Sequence, residues 1–422
     1  MPDIAQLSVR LHGAEIGTLT RLPGDRILFA FDEGYIADEA RPTLSLSFRD
    51  VLGELITDIR PTRTRLPPFF ANLLPEGRMR DYLAARAGVD PNREFFLLWV
   101  LGRDLPGALE IHPAEGAAWP PDAGPGGRGD ARGGGRDLDE AEGDEPALRF
   151  SLAGVQLKFS AVEGARAGLT IPADGVGGSW IVKLPSSVHR GVPENEYAMM
   201  ELARRIGIDV PETALVPIES IAGLPRGIER AGPQAFAIKR FDRTDDGKGD
   251  GGGRVHMEDL AQVFGVYPER KYARASTRNV AEVIWAEIGE AGIAAFLKRF
   301  VFNALIGNGD LHLKNWSLVY PDRRRAALAP AYDFVSTVPY IPGDKLALGF
   351  AGTKDFAALD LDRIKRFAAK ARLPEKLALD TAQETLDRFA EAWRNKDDPP
   401  VDRKLRTAIG KHLKTIPLWK VR

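Results

Sequence analysis

The chain has 422 residues, 44% hydrophobic and 28% charged, with a formal net charge of -1. That length and balance fit a folded protein of two or three domains or lobes, with no global pull toward nucleic acid or an anionic membrane. There is no cysteine, which excludes disulfides, thiolate nucleophiles and Cys-ligated metal centres and fits a reducing compartment.

The first six residues, MPDIAQ, carry no basic stretch leading into an apolar one, so no secretory signal is expected. The apolar run at 95–101 is too short to span a bilayer. A cytoplasmic protein with no membrane partner is expected.

Residues 1 to about 60 read as strand-rich. Residues 7–11 alternate, His12 and Gly13 suit a turn, and 16–20 begin a return strand. Residues 44–48 alternate again and predict a further strand. A helical part follows around 69–77, and a packing role is expected for it. Residues 113–146 are rich in Gly, Pro and Asp and poor in apolar side chains, which predicts a flexible linker.

Order resumes at 150–160. Ala153 and Gly154 form a small-residue turn between apolar segments, where a backbone could approach phosphates closely. By itself such a turn is commonplace. The strand around 179–185 carries Lys183, suited to ATP phosphates or simply an edge charge. The next helix, 193–207, has Met199, Leu202, Ala203 and Ile206 as its buried stripe. Glu196 is placed in its first turn, where it suits the helix dipole or could pair with Lys183. The strand 236–241 then ends in Lys239, Arg240 and Phe241, the expected hinge against adenine. Residues 246–253 read as a mobile loop.

The densest signal lies at 293–333. Ile293, Phe296, Leu297, Phe300, Val301, Ala304 and Leu305 have the spacing of one buried helix face. Gly307 suits the helix end. The polar loop 308–315 holds Asp310 and Asn315 five positions apart, and a hairpin separates it from Asp333 and Phe334. Phosphoryl transfer needs a carboxylate to orient the attacking hydroxyl and oxygen ligands for Mg²⁺. This ordered set of helix, acidic loop, hairpin and Asp-Phe is how a protein-kinase-like fold presents them, although Val335 stands where Gly follows in kinases. Farther on, Leu379, Ala382, Leu386, Phe389 and Trp393 make a last buried stripe. The tail carries Arg403, Lys404, Arg406, Lys411, Lys414, Lys420 and Arg422 against Asp402. That surface reads as a solvated face or as a patch that contacts phosphates.

Together these motifs resemble the HipA family, the serine/threonine-kinase toxins of HipBA-type toxin–antitoxin modules. The resemblance rests on SLAGVQ at 151–156, IVKLP at 181–185, NEY at 195–197, RFDR at 240–243, GDLHLKN at 309–315, APAYD at 329–333 and NLLPEG at 72–77. It implies an α+β, protein-kinase-like bilobal fold with a β-rich N-lobe, a helical C-lobe and an extra N-terminal β-rich subdomain. The expected units are 1–112, the linker 113–146, the N-lobe 147–242 and the C-lobe 243–422. By resemblance Asp310 is catalytic, and Asn315 and Asp333 bind Mg²⁺. Leu152, Ala153, Gly154, Val155, Gln156, Leu157, Lys183, Lys239, Arg240, Phe241, His312 and Lys314 contact ATP. Ser151 resembles a regulatory autophosphorylation site. The family's partner is a HipB-like helix-turn-helix antitoxin on operator DNA, and its substrate class is aminoacyl-tRNA synthetases. Val155 and Leu157 depart from the family pattern. A small-molecule kinase of similar fold and a corepressor without activity are the competing readings.

Overall fold

Alternation and a tight turn set the first sheet. The computed structural model describes residues 5–114, 157–163, 169–172, 177–186, 188–224, 232–244, 253–395 and 401–420. Strands β1 (Gln6–Leu11) and β2 (Ala14–Leu22) pair antiparallel. His12 and Gly13 join them, both at positive φ (53° and 79°), as a two-residue hairpin turn requires. With β3 (Arg26–Phe31), β4 (Thr62–Arg63) and β5 (Leu109–Pro113) they form a sheet of order β4-β3-β2-β1-β5. The apolar run 95–101 lies in the helix Glu94–Leu101, buried on every side.

Residues 44–48 are not a strand. Leu46–Phe48 is a short 3-10 turn, because the Ser45 hydroxyl accepts from Ser47 N at 3.1 Å and so offers the backbone a local alternative to sheet pairing.

The second sheet, of order β7-β6-β8-β10-β9, contains β6 (Lys158–Glu163), β7 (Leu169–Thr170), β8 (Trp180–Lys183), β9 (Thr213–Pro217) and β10 (Gln234–Lys239). Successive side chains of β10 point to opposite faces. Ala235 and Ala237 enter a core shared with the first sheet, whereas Phe236 and Ile238 enter the core of the helical half. The N-terminal unit and this lobe thus share one hydrophobic core, and Tyr82 meets Phe159 edge-on at 6.3 Å between ring centres.

A buried ion cluster reinforces that junction. Asp104 binds Arg240 (3.0 Å) and Arg243 (2.6 Å), and Asp242 binds the same two arginines at 2.9 and 2.8 Å.

The helical half is built on Glu290–Ile306, with Glu375–Arg394 packed along it. All seven residues of the predicted 293–305 stripe are buried. In Glu375–Arg394, Ala382, Leu386 and Phe389 are fully buried, with Leu379 and Trp393 partly so. Asp402 caps the tail helix Arg403–Leu413, and Arg406 lies on the Trp393 ring at 4.6 Å rather than in open solvent. Arg422 and most of the predicted linker and the 246–253 loop lie outside the described residues; Pro113 closes β5.

Candidate active site

Between the second sheet and the helical half lies a cleft of about 960 Å³. The helix Glu290–Ile306 ends at Gly307, left-handed at φ 67° and ψ 50°. A Cβ there would sit 2.7 Å from Val338, so the chain turns there into the polar loop only because the residue is glycine. Asn308, fully buried, then ties the loop together. Its Oδ1 accepts from Asp310 N at 2.9 Å, and its Nδ2 donates to Asn303 Oδ1 at 2.6 Å. Asn315 Nδ2 donates to the Asp310 carbonyl at 2.9 Å, which holds both predicted site residues in one loop. Among the described residues nothing pairs with Asn315 Oδ1.

The hairpin Ser317–Tyr320 and Ala327–Leu328 returns the chain to Asp333. Asp333 adopts φ 57°, a strained value for a residue with a side chain. Its carboxylate contacts Lys183 Nζ from β8, and Lys183 also reaches Glu196 Oε1 at 2.5 Å. Glu196 is not in the first turn of its helix. Val192–Arg205 starts early enough that Glu194 takes that place, and Glu196, at 1% exposure, faces the lysine instead of the helix dipole. Burial lowers the pKa of Lys183, but Asp333 and then Glu196 outweigh it and keep the amine charged. Burial would raise Asp333; Lys183 and Lys158 outweigh that and hold it at about 2. Burial pushes Glu196 up to about 7 despite Lys183. Asp333 is therefore the main counter-ion of Lys183.

Asp310 stands at the solvent-exposed mouth. Crowding by the cleft wall raises its pKa above the ordinary carboxylate value, against the hydrogen bond from Tyr272 and the charge of Lys271. His312 is buried with no partner for Nδ1, and burial with nearby Lys271 lowers its pKa to about 3, so the ring is neutral near pH 7. Leu157, Lys239 and Phe241 line the cleft; Phe241 stacks on Tyr332 at 5.8 Å. Arg240 borders the cleft, but its guanidinium is spent on Asp104 and Asp242, so the side chain predicted for ATP is committed to the domain junction. Ser151, Leu152, Ala153, Gly154, Val155 and Gln156 lie outside the described residues.

Three cleft residues escaped the sequence reading. Lys158 pairs directly across the sheet from Lys183, and burial lowers its pKa to about 8. The two lysines share Asp333 as a counter-ion. Glu76, from the segment expected only to pack, enters the cleft and meets Lys271 and Lys314, each at 2.9 Å. Burial would raise its pKa, but Lys314 and Lys271 hold it at about 2. Lys314 Nζ also donates to the Asn72 carbonyl at 3.1 Å. The third is Tyr272, whose hydroxyl meets Asp310 Oδ1 at 2.5 Å.

Residues 150–393 match the HipA-like C-terminal domain, and residues 7–112 match the HipA N-terminal domain. This chain belongs to the HipA family. It is 53% identical to a Sinorhizobium fredii protein named "Putative kinase Y4dM", with 100% of this chain and 99% of that protein aligned. A second protein of that organism, "Putative kinase Y4mE", is 32% identical over 92% of this chain and 90% of its own. The serine/threonine-protein kinase toxin HipA of Shewanella oneidensis is 25% identical over 66% of this chain and 65% of its own. The solved complex of Shewanella HipA with HipB and operator DNA gives a TM-score of 0.70 at 22% identity, covering 97% of this chain and 96% of that one. The fold of this HipA-family chain is therefore the α+β, kinase-like bilobal arrangement with its added N-terminal unit.

Proposed function

We propose that this HipA-family chain is an ATP-dependent serine/threonine protein kinase and the toxin of a toxin–antitoxin module. The observation that carries the reading is the Lys183 amine between Glu196 and Asp333, in one cleft with Asp310 and Asn315. Lys158 and Lys183 supply positive charge where ATP phosphates would lie, and the unpaired Nδ1 of neutral His312 offers a further polar contact. The hinge main chain at Lys239 and Phe241 would border the adenine.

Asp333 and Asn315 would hold Mg²⁺. The donor set fits: one ionised carboxylate and one free amide oxygen, both hard ligands that leave positions for phosphate and water. Bound there, the ion would offset phosphate charge. Asp310 would orient the acceptor hydroxyl and take its proton, a role its raised pKa favours. Lys183 would fix the phosphates, and Glu196 would fix Lys183.

The partner reading follows from family membership and from the shared fold with the HipA–HipB–operator complex: a HipB-like helix-turn-helix antitoxin, with DNA contacted mainly through it. The aminoacyl-tRNA synthetase target and autophosphorylation at Ser151 rest on the sequence resemblance. Among the described residues no helix is long and apolar enough to cross a membrane. A small-molecule kinase is the weaker reading, because Glu76 and Asn72 of the N-terminal unit form part of this cleft. The test is phosphoproteomics after induced expression. A seryl or threonyl phosphosite on a synthetase should appear with the native chain and be absent with Asp310→Ala. Identical phosphoproteomes would remove the kinase reading.

A further inference from the structure

Tyr272 stands where an acceptor must stand. Its hydroxyl donates to Asp310 Oδ1 at 2.5 Å, the contact a substrate hydroxyl needs with a general base. The ring is 44% exposed, yet it is not a loose surface side chain. It packs edge-on against His312, with ring centres 5.0 Å apart and an interplanar angle of 82°. The preceding residue is pinned twice. The Lys271 carbonyl accepts from Leu313 N of the catalytic loop at 3.3 Å, and Lys271 Nζ donates to Glu76 Oε2 at 2.9 Å. A 3-10 turn, Pro268–Arg270, leads into it. The N-terminal unit, the catalytic loop and the His312 ring thus hold one phenol against one carboxylate.

A phenol donating to Oδ1 competes with any other hydroxyl that approaches that oxygen. Solvent on one side of the ring leaves room for it to swing away by side-chain rotation. We propose that Tyr272 fills the acceptor-hydroxyl subsite of the resting enzyme, and that a protein acceptor engages Asp310 only by displacing it. The phenol also competes with water, the smallest acceptor, for that oxygen, and so limits wasteful hydrolysis of ATP. This proposal rests on the reading of Asp310 as the base and names the residue that governs access to it.

The test uses the full chain and water as the defined acceptor. Tyr272→Phe removes the hydroxyl and keeps the ring on His312. Titration with MgATP should give the same Kd for the native chain and Tyr272→Phe. Basal ATP hydrolysis should rise about five-fold in the variant, the effect of deleting one competing hydrogen bond. The rise should vanish in Tyr272→Phe combined with Asp310→Asn, which ties it to that carboxylate. Unchanged or slower hydrolysis in Tyr272→Phe would overturn the proposal, since a residue that positions Asp310 would lower the rate when lost. Phosphate mapped to Tyr272 after incubation with MgATP would also overturn it, by making the phenol an acceptor. Failure of the native chain to bind MgATP at all is the separate result that would overturn the active-site reading and this proposal with it.

Discussion

Two buried charge clusters lie close together in this molecule and differ in kind. At the domain junction, Arg240 and Arg243 face Asp104 and Asp242, two positive against two negative. Every nitrogen of the Arg240 guanidinium has an oxygen partner. In the cleft, Lys183 and Lys158 lie side by side, Asn315 Oδ1 and His312 Nδ1 have no partner among the described residues, and Asp333 sits at a strained φ. A satisfied cluster fixes an arrangement of lobes. A cluster with unpaired groups and local strain is shaped for something it binds. The same residue types therefore predict opposite mutational behaviour.

The sharpest break is a paired substitution. Asp333→Asn should lower phosphoryl transfer by about 10²–10⁴-fold, by loss of a metal oxygen and of charge facing Lys183, with the smaller stability loss of the pair, because its side chain is 29% exposed and Glu196 stays beside the lysine. Asp104→Asn should do the reverse. It leaves two buried arginines under-compensated and should cost about 3–5 kcal/mol in a denaturant titration, with activity per folded molecule retained. Swapped outcomes would erase the distinction between the clusters.

A smaller effect is expected at Glu76, which joins the N-terminal unit to Lys271 and Lys314. Its folded pKa, about 2, lies below the ordinary 4.5. The carboxylate's contribution to stability is thus fully present above about pH 4.5 and is lost as pH falls toward 2. The Glu76→Gln protein should be less stable by on the order of 2–3 kcal/mol near pH 7. Measured by urea unfolding across pH, that gap should close over the acidic window. A gap that is constant with pH would contradict the ion-pair account.

The residues that sequence could and could not reveal divide by distance along the chain. The 293–305 stripe was legible because helical period needs only local spacing, and Gly307 because a helix end demands a left-handed residue. The Lys183–Glu196 contact was legible from chemistry, although the helix starts one residue earlier than expected, which moves Glu196 out of its first turn. Glu76 was not legible. Its lysine Lys271 lies 195 residues away, and only the meeting of two units brings them together. Lys158 needed the sheet register, which puts it opposite Lys183. Arg240 does border the cleft, but the partner that claims its side chain, Asp104, belongs to the other unit. Residues 44–48 alternate like a strand, and the Ser45 hydroxyl overrode the pattern.

The most direct measurement is intact mass after incubation of the pure chain with MgATP, beside Asp310→Asn. The native chain should gain phosphate, mapped to Ser151, at an initial rate that rises faster than linearly with protein concentration. Asp310→Asn should bind MgATP with unchanged Kd and gain none. Equal phosphate on both proteins, or none on a native chain that binds MgATP, would contradict the assignment of this cleft as a phosphoryl-transfer site.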